Sequence, residues 1–122
     1  MRIKILLFII TIFISTNSFS EENVCEKFNL ISETEAELIN ASTSGYKVIG
    51  KGRAYFYTSP NVNCKNDNVF IIKNDLVNAY SVYGDFTSIM YLDKNQNLIQ
   101  GWVQSSRLIP TGTGIGPSDE NK

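Results

Sequence analysis

The 122-residue chain contains no histidine. That absence removes every Ser-His-Asp or Cys-His arrangement for nucleophilic catalysis. Cysteine is scarce: Cys25 and Cys64 are the only two, far apart in the sequence, so the clustered four-ligand spacing of a zinc site is missing. Basic residues never run together. A nucleic-acid partner needs a positive footprint that displaces counterions, so none is expected, and an anionic membrane surface is disfavoured for the same reason. Gly50-Lys51-Gly52 lacks the strand-to-helix setting of a phosphate loop. The acids do not pair either. Glu33, Glu35 and Glu37 alternate along a segment read as a solvated face, whereas a glycosidase wants two carboxylates facing one pocket. Asp67, Asp75, Asp85 and Asp93 fall in predicted turns, where the ordinary task is to hold local backbone. The expectation is a non-catalytic protein without a metal or a cofactor.

One long apolar run is present, at the start. Arg2 and Lys4 precede Ile5–Ile14, which is apolar apart from Thr11, and Ser15–Ser20 is small and polar apart from Phe19, with Ser18 and Ser20 at signal-peptidase spacing. This is the three-part pattern of a secretory signal peptide over residues 1–20. The run falls short of the roughly 20 apolar residues that span a bilayer. The expectation is therefore a periplasmic or secreted chain of bacterial type that begins at Glu21, with no stable membrane insertion after cleavage. Losing Arg2 and Lys4 leaves nine basic against twelve acidic residues, a net charge of −3.

In an oxidising compartment, two cysteines most simply form one disulfide. Cys25–Cys64 would close a loop of roughly 40 residues, worth about 3–4 kcal/mol in the chain-entropy model. A domain this small buries only about 60% of its unfolded surface, so a bond of that size matters.

Residues 21–45 read as a helical segment and linker. Ser32-Glu33-Thr34-Glu35 has capping-box spacing, and Ala36, Leu38, Ile39 and Ala41 follow as an apolar face. From Tyr46 the pattern is β. Tyr46–Thr58 carries a bend at Gly50 and Gly52; Val69–Ile72, Leu76–Tyr83, Phe86–Leu92, Leu98–Val103 and Leu108–Ile109 follow, separated by Lys73-Asn74-Asp75, Gly84-Asp85 and Asp93–Asn97. Short strands at this spacing argue for a small barrel or sandwich over residues 46–109. Residues 110–122 are rich in glycine, proline and polar side chains and read as a disordered tail.

Four pieces in this order carry a resemblance: Ala54-Tyr55-Phe56-Tyr57-Thr58-Ser59-Pro60, Lys73-Asn74-Asp75-Leu76-Val77, Gly84-Asp85-Phe86, and Gly101-Trp102-Val103 with Leu108 at the end. Together they resemble a bacterial Src-homology-3-like (SH3-like, SH3b-type) domain. The resemblance spans Ile49–Ile109. It implies a mainly β fold: a small SH3-like barrel of five to six short antiparallel strands, preceded by a short helical segment. Cys64 in the first long loop and the segment before Gly45 depart from the family pattern.

The family fold that the resemblance implies, with strand neighbours alternating, then assigns faces. Ala54, Phe56, Val69, Ile71, Val77, Ala79, Ile89, Tyr91 and Val103 point inward, and Gly101 sits where a side chain would strike the core. Tyr55, Tyr57, Phe86 and Trp102 point outward. In eukaryotic relatives, aromatics at matching positions line a groove for extended peptides. The resemblance makes these four, with Gln104 and Arg107, the candidate ligand-binding residues; the last two replace a proline and a tyrosine of the relatives. The groove is open only if the N-terminal segment leaves that face bare. Two functions are expected: a binding module for a cell-wall peptide or envelope protein, as in the family, or an immunity or inhibitor protein that blocks a wall-degrading enzyme or toxin. The second rests on size, address and lack of catalytic groups, with Asn61–Asn68 or Asp93–Asn97 as the inserting loop.

Overall fold

The computed structural model describes residues 21–114; the expected signal peptide and residues 115–122 of the expected tail lie outside them. Helix α1 (Glu21–Glu35) precedes eight strands: β1 (Glu37–Leu38), β2 (Gly45–Val48), β3 (Ala54–Tyr57), β4 (Lys65–Ile71), β5 (Leu76–Tyr83), β6 (Phe86–Leu92), β7 (Leu98–Gln104) and β8 (Leu108–Pro110). They form one curled antiparallel half-barrel in the order β4-β3-β7-β6-β5-β2-β8, with β1 paired to β5 from the side. The molecule is mainly β, as expected, and consistent with a small SH3-like barrel. The count exceeds five to six for two reasons. Tyr46–Thr58 splits into β2 and β3 where Gly50 and Gly52 take φ of +88° and +76°, and Glu37–Leu38 adds a short strand.

The inward set of the alternation is the core. Ala54 and Phe56 from β3 meet Ile71, Val77, Ala79, Ile89 and Val103, joined by Val48 and Leu108, with Val69 and Tyr91 packed partly buried against them. Gly101 is needed at its place in β7. A Cβ there would stand 2.9 Å from Phe56 Cδ1 and 3.2 Å from the Tyr57 carbonyl oxygen. The turns behave as their residues imply. Asn74 takes a φ of +76°, Asp75 accepts from the Ile72 amide at 2.8 Å, and Asp93 accepts from the amides of Asn95 and Asn97.

Two boundaries differ from expectation. Ser32 does not start a helix; it lies in the last turn of α1, buried, and its hydroxyl donates to the Asn29 carbonyl at 2.8 Å. The capping-box spacing there is outweighed by the earlier apolar positions Val24, Phe28 and Ile31, which share one helix face. After Glu35 the chain runs extended, and the Ile39 amide donates to the Tyr80 carbonyl. At the other end, Pro110 belongs to β8, and Thr111–Gly114 is held against Gly45: the Gly45 amide donates to the Thr113 carbonyl and the Thr111 amide to the Gly45 carbonyl.

Candidate functional site

The same alternation that buries Phe56 and Val103 turns Tyr57 and Trp102 to the other side of the sheet, where they are direct cross-strand partners. Tyr57 meets Phe86 edge to face, with ring centroids 4.9 Å apart. These three form a second cluster, flanked by Tyr55, Tyr83 and Ala36. They are 7%, 9% and 5% exposed for Tyr57, Trp102 and Phe86, so this face is not an open groove.

The N-terminal segment is what closes it. Ala36 packs on the cluster directly, and Phe28 of α1 meets Tyr83 edge to face at 6.5 Å. Asn29 Nδ2 donates to the Thr58 carbonyl at 3.0 Å. The Cys25–Cys64 disulfide is present, with Cα atoms 5.7 Å apart, and ties α1 to the turn after β3. The outward placement of the three aromatics agrees with strand alternation; their burial follows from a helix the barrel pattern does not contain.

Arg107 is also engaged. Its guanidinium donates to the carbonyls of Ile49, Arg53 and Gly52 at 2.8, 3.0 and 3.0 Å. All three bonds brace the loop between β2 and β3, away from Tyr57 and Trp102. A Cβ on Gly50 would stand 2.9 Å from Arg107 Nε, so the bracing needs glycine there.

Two parts of the face stay open: a hollow of about 240 Å³ beside Trp102, lined by Tyr80, Ser88, Ile89, Gln100 and Gly101, and a larger one next to Phe86. The larger, a depression of about 380 Å³, lies between the Asn61–Cys64 turn, the β5–β6 turn and the end of β7, lined by Val62, Val82, Gly84, Asp85, Phe86, Gln104, Ser105 and Ser106. Phe86 and Gln104 are the two predicted site residues that it brings together. Its wall is fixed: the Ser105 amide donates to the Asp85 carbonyl at 2.8 Å, and the Thr87 and Ser105 hydroxyls share a 2.7 Å hydrogen bond. Val62, 66% exposed, forms its rim. Val62 and Asp85 fell in segments the sequence marks as a loop and a turn, but nothing in their spacing says that they converge. A smaller hollow of about 270 Å³ beside Gly45 contains none of the six predicted residues.

No family model, no curated protein and no solved structure matches the chain. Among the described residues, no helix is long and apolar enough to cross a membrane.

Proposed function

We propose that this chain is an exported, non-catalytic SH3-like binding module that recognises a peptide of the cell wall or an envelope protein, and that it does so through the depression beside α1. The observation that carries this reading is the composition of the depression. Val82 and Phe86 offer an apolar floor with Val62 at the rim, while the Gln104 amide, the Ser105 and Ser106 hydroxyls and the Asp85 carboxylate offer polar partners. A few fixed polar groups around an apolar patch suit a side chain with its flanking peptide amides. The disulfide supports an oxidising address. The test is a heteronuclear NMR titration of the protein with soluble muropeptides and short envelope peptides. Shifts concentrated at Gly84, Asp85 and Gln104–Ser106, and lost in Gln104→Ala, support the reading. No shift with any of these ligands, or shifts confined elsewhere, would refute it.

A second reading, an inhibitor or immunity protein, is favoured by one observation. The Asn61–Cys64 turn is held by three hydrogen bonds and presents an apolar tip, Val62. The Cys64 amide donates to the Asn61 carbonyl, the Thr58 amide to the Cys64 carbonyl, and the Asn63 amide to Asn61 Oδ1. A preordered protruding segment loses little freedom on entering an enzyme cleft. Slowed hydrolysis of peptidoglycan by a wall-degrading enzyme, relieved by Val62→Asp, would support it; unchanged hydrolysis would remove it.

A further inference from the structure

Charge is divided unevenly along this acidic chain. Glu21–Glu37 holds six acids and one base, Lys27; Lys47–Lys73 holds five bases, Lys47, Lys51, Arg53, Lys65 and Lys73, and one acid, Asp67. Lys65 pairs with Asp67 at 3.5 Å, while Lys51, Arg53 and Lys73 have no carboxylate partner among the described residues. The fold gathers those three around one place. A depression of about 390 Å³ is lined by Gly50, Lys51, Gly52, Arg53, Phe70, Ile72 and Lys73. Its floor is apolar and open, with Phe70 39% and Ile72 51% exposed.

The loop that carries two of the cations is held in shape. Arg107 binds its carbonyls at Ile49, Gly52 and Arg53. Apart from its chain neighbours, no atom stands within 4 Å of where a Gly52 side chain would begin, so the loop is open to an approaching chain. On the other side, Asp75 is occupied by the Ile72 amide, which fixes the end of β4.

We propose that this surface docks an extended acidic peptide segment that carries one apolar side chain. The apolar residue would lie on Ile72 and on the part of Phe70 that Arg53 leaves exposed, and its flanking carboxylates would meet Lys51, Arg53 and Lys73. The ring faces argue for a peptide over an acidic glycan. Sugars need a bare aromatic face, and here the Arg53 guanidinium lies 4.3 Å over the Phe70 ring. Tyr55 meets Phe70 edge to face, and Lys65 lies 4.0 Å over Tyr55. This surface is separate from the depression beside α1 and does not depend on it.

The test is fluorescence anisotropy of the whole protein, oxidised, with a labelled peptide that has glutamates on either side of one leucine. A lysine counterpart and alginate serve as comparison ligands. The glutamate peptide is expected to bind at low salt, to weaken as salt rises, and to lose affinity about fivefold or more in Lys73→Glu. Lys27→Glu, the same charge change on α1, which packs at the Tyr83 end of β5, opposite to the end that carries Lys73, is expected to leave binding within about twofold. Equal loss in both variants would reduce the effect to net charge and overturn the proposal. So would binding of the lysine peptide, absence of binding at low salt, or tighter binding of alginate with the same sensitivity to Lys73→Glu.

Discussion

The two hydrophobic clusters lie on opposite faces of one sheet and are made in different ways. Phe56 and Val103 face a core that the strands close on themselves. Their chain neighbours Tyr57 and Trp102 face a cluster that the strands leave open and α1 with Ala36 shuts from outside. The first needs only the register of the sheet. The second needs a separate element brought to the right place, and it is there that the disulfide sits. A face that is a groove in a bare barrel becomes a second, smaller core when a helix is tethered over it. What remains for a ligand is its margin.

That contrast can be broken from either side. Gly101→Val strikes the barrel core and should have the largest effect, because its new atoms meet the Phe56 ring and the Tyr57 carbonyl. We expect no folded protein, as overpacking of this kind costs about 3 kcal/mol or more. A native-like circular dichroism spectrum would remove Gly101 from the core. Replacing both Cys25 and Cys64 with serine strikes only the tethered side. It should lower stability by about 3–4 kcal/mol in denaturant melts, and the sheet should survive while the aromatic face loosens. Two reactive thiols in the native protein would show that the bond is not formed. Phe28→Ala should have a smaller effect, about 1–2 kcal/mol for a half-buried ring with one aromatic partner, and should raise amide exchange in α1 more than in β7.

The smallest effect separates the core rim from solvent. Burial raises the Tyr91 phenol above its ordinary value of 10.0, and the Asp75 and Asp93 carboxylates push the same way. A raised folded pKa means that the folded state holds its proton longer than the unfolded state. The stabilisation is therefore complete below about pH 10 and declines as pH rises above it. An ultraviolet titration compared with Tyr91→Phe should show one phenol ionising late; a phenol that ionises with the exposed tyrosines would contradict this.

Most of the sheet was legible because strand alternation and turn chemistry are local. Leu76–Tyr83 and Phe86–Leu92 were bounded by Asn74, Gly84 and Asp93, and each of those residues acts where it stands. Gly101 was legible only through the barrel resemblance, which puts the core against its Cα, and the Phe56 ring stands there. The start of α1 was not, since the Ser32 spacing mimics a cap while the Val24, Phe28 and Ile31 stripe acquires meaning only against the barrel. The fate of the predicted site residues turned on the same long-range docking. Local pattern placed Tyr57, Phe86 and Trp102 on the outer face, but only α1 decides that they are buried. The resemblance makes Arg107 a ligand contact, but its three bonds reach back more than fifty residues to the β2–β3 loop, a distance no spacing rule covers.

The most direct test of the closed aromatic face uses Trp102, the only tryptophan in the chain. Acrylamide quenching of its fluorescence, in the oxidised protein and again after reduction of the disulfide, reads access to that face. A buried face predicts blue-shifted emission and weak quenching while Cys25 and Cys64 are joined, with quenching that rises on reduction. Emission and quenching like those of free indole in the oxidised protein would show that α1 does not cover the face, and the aromatic groove would be open after all.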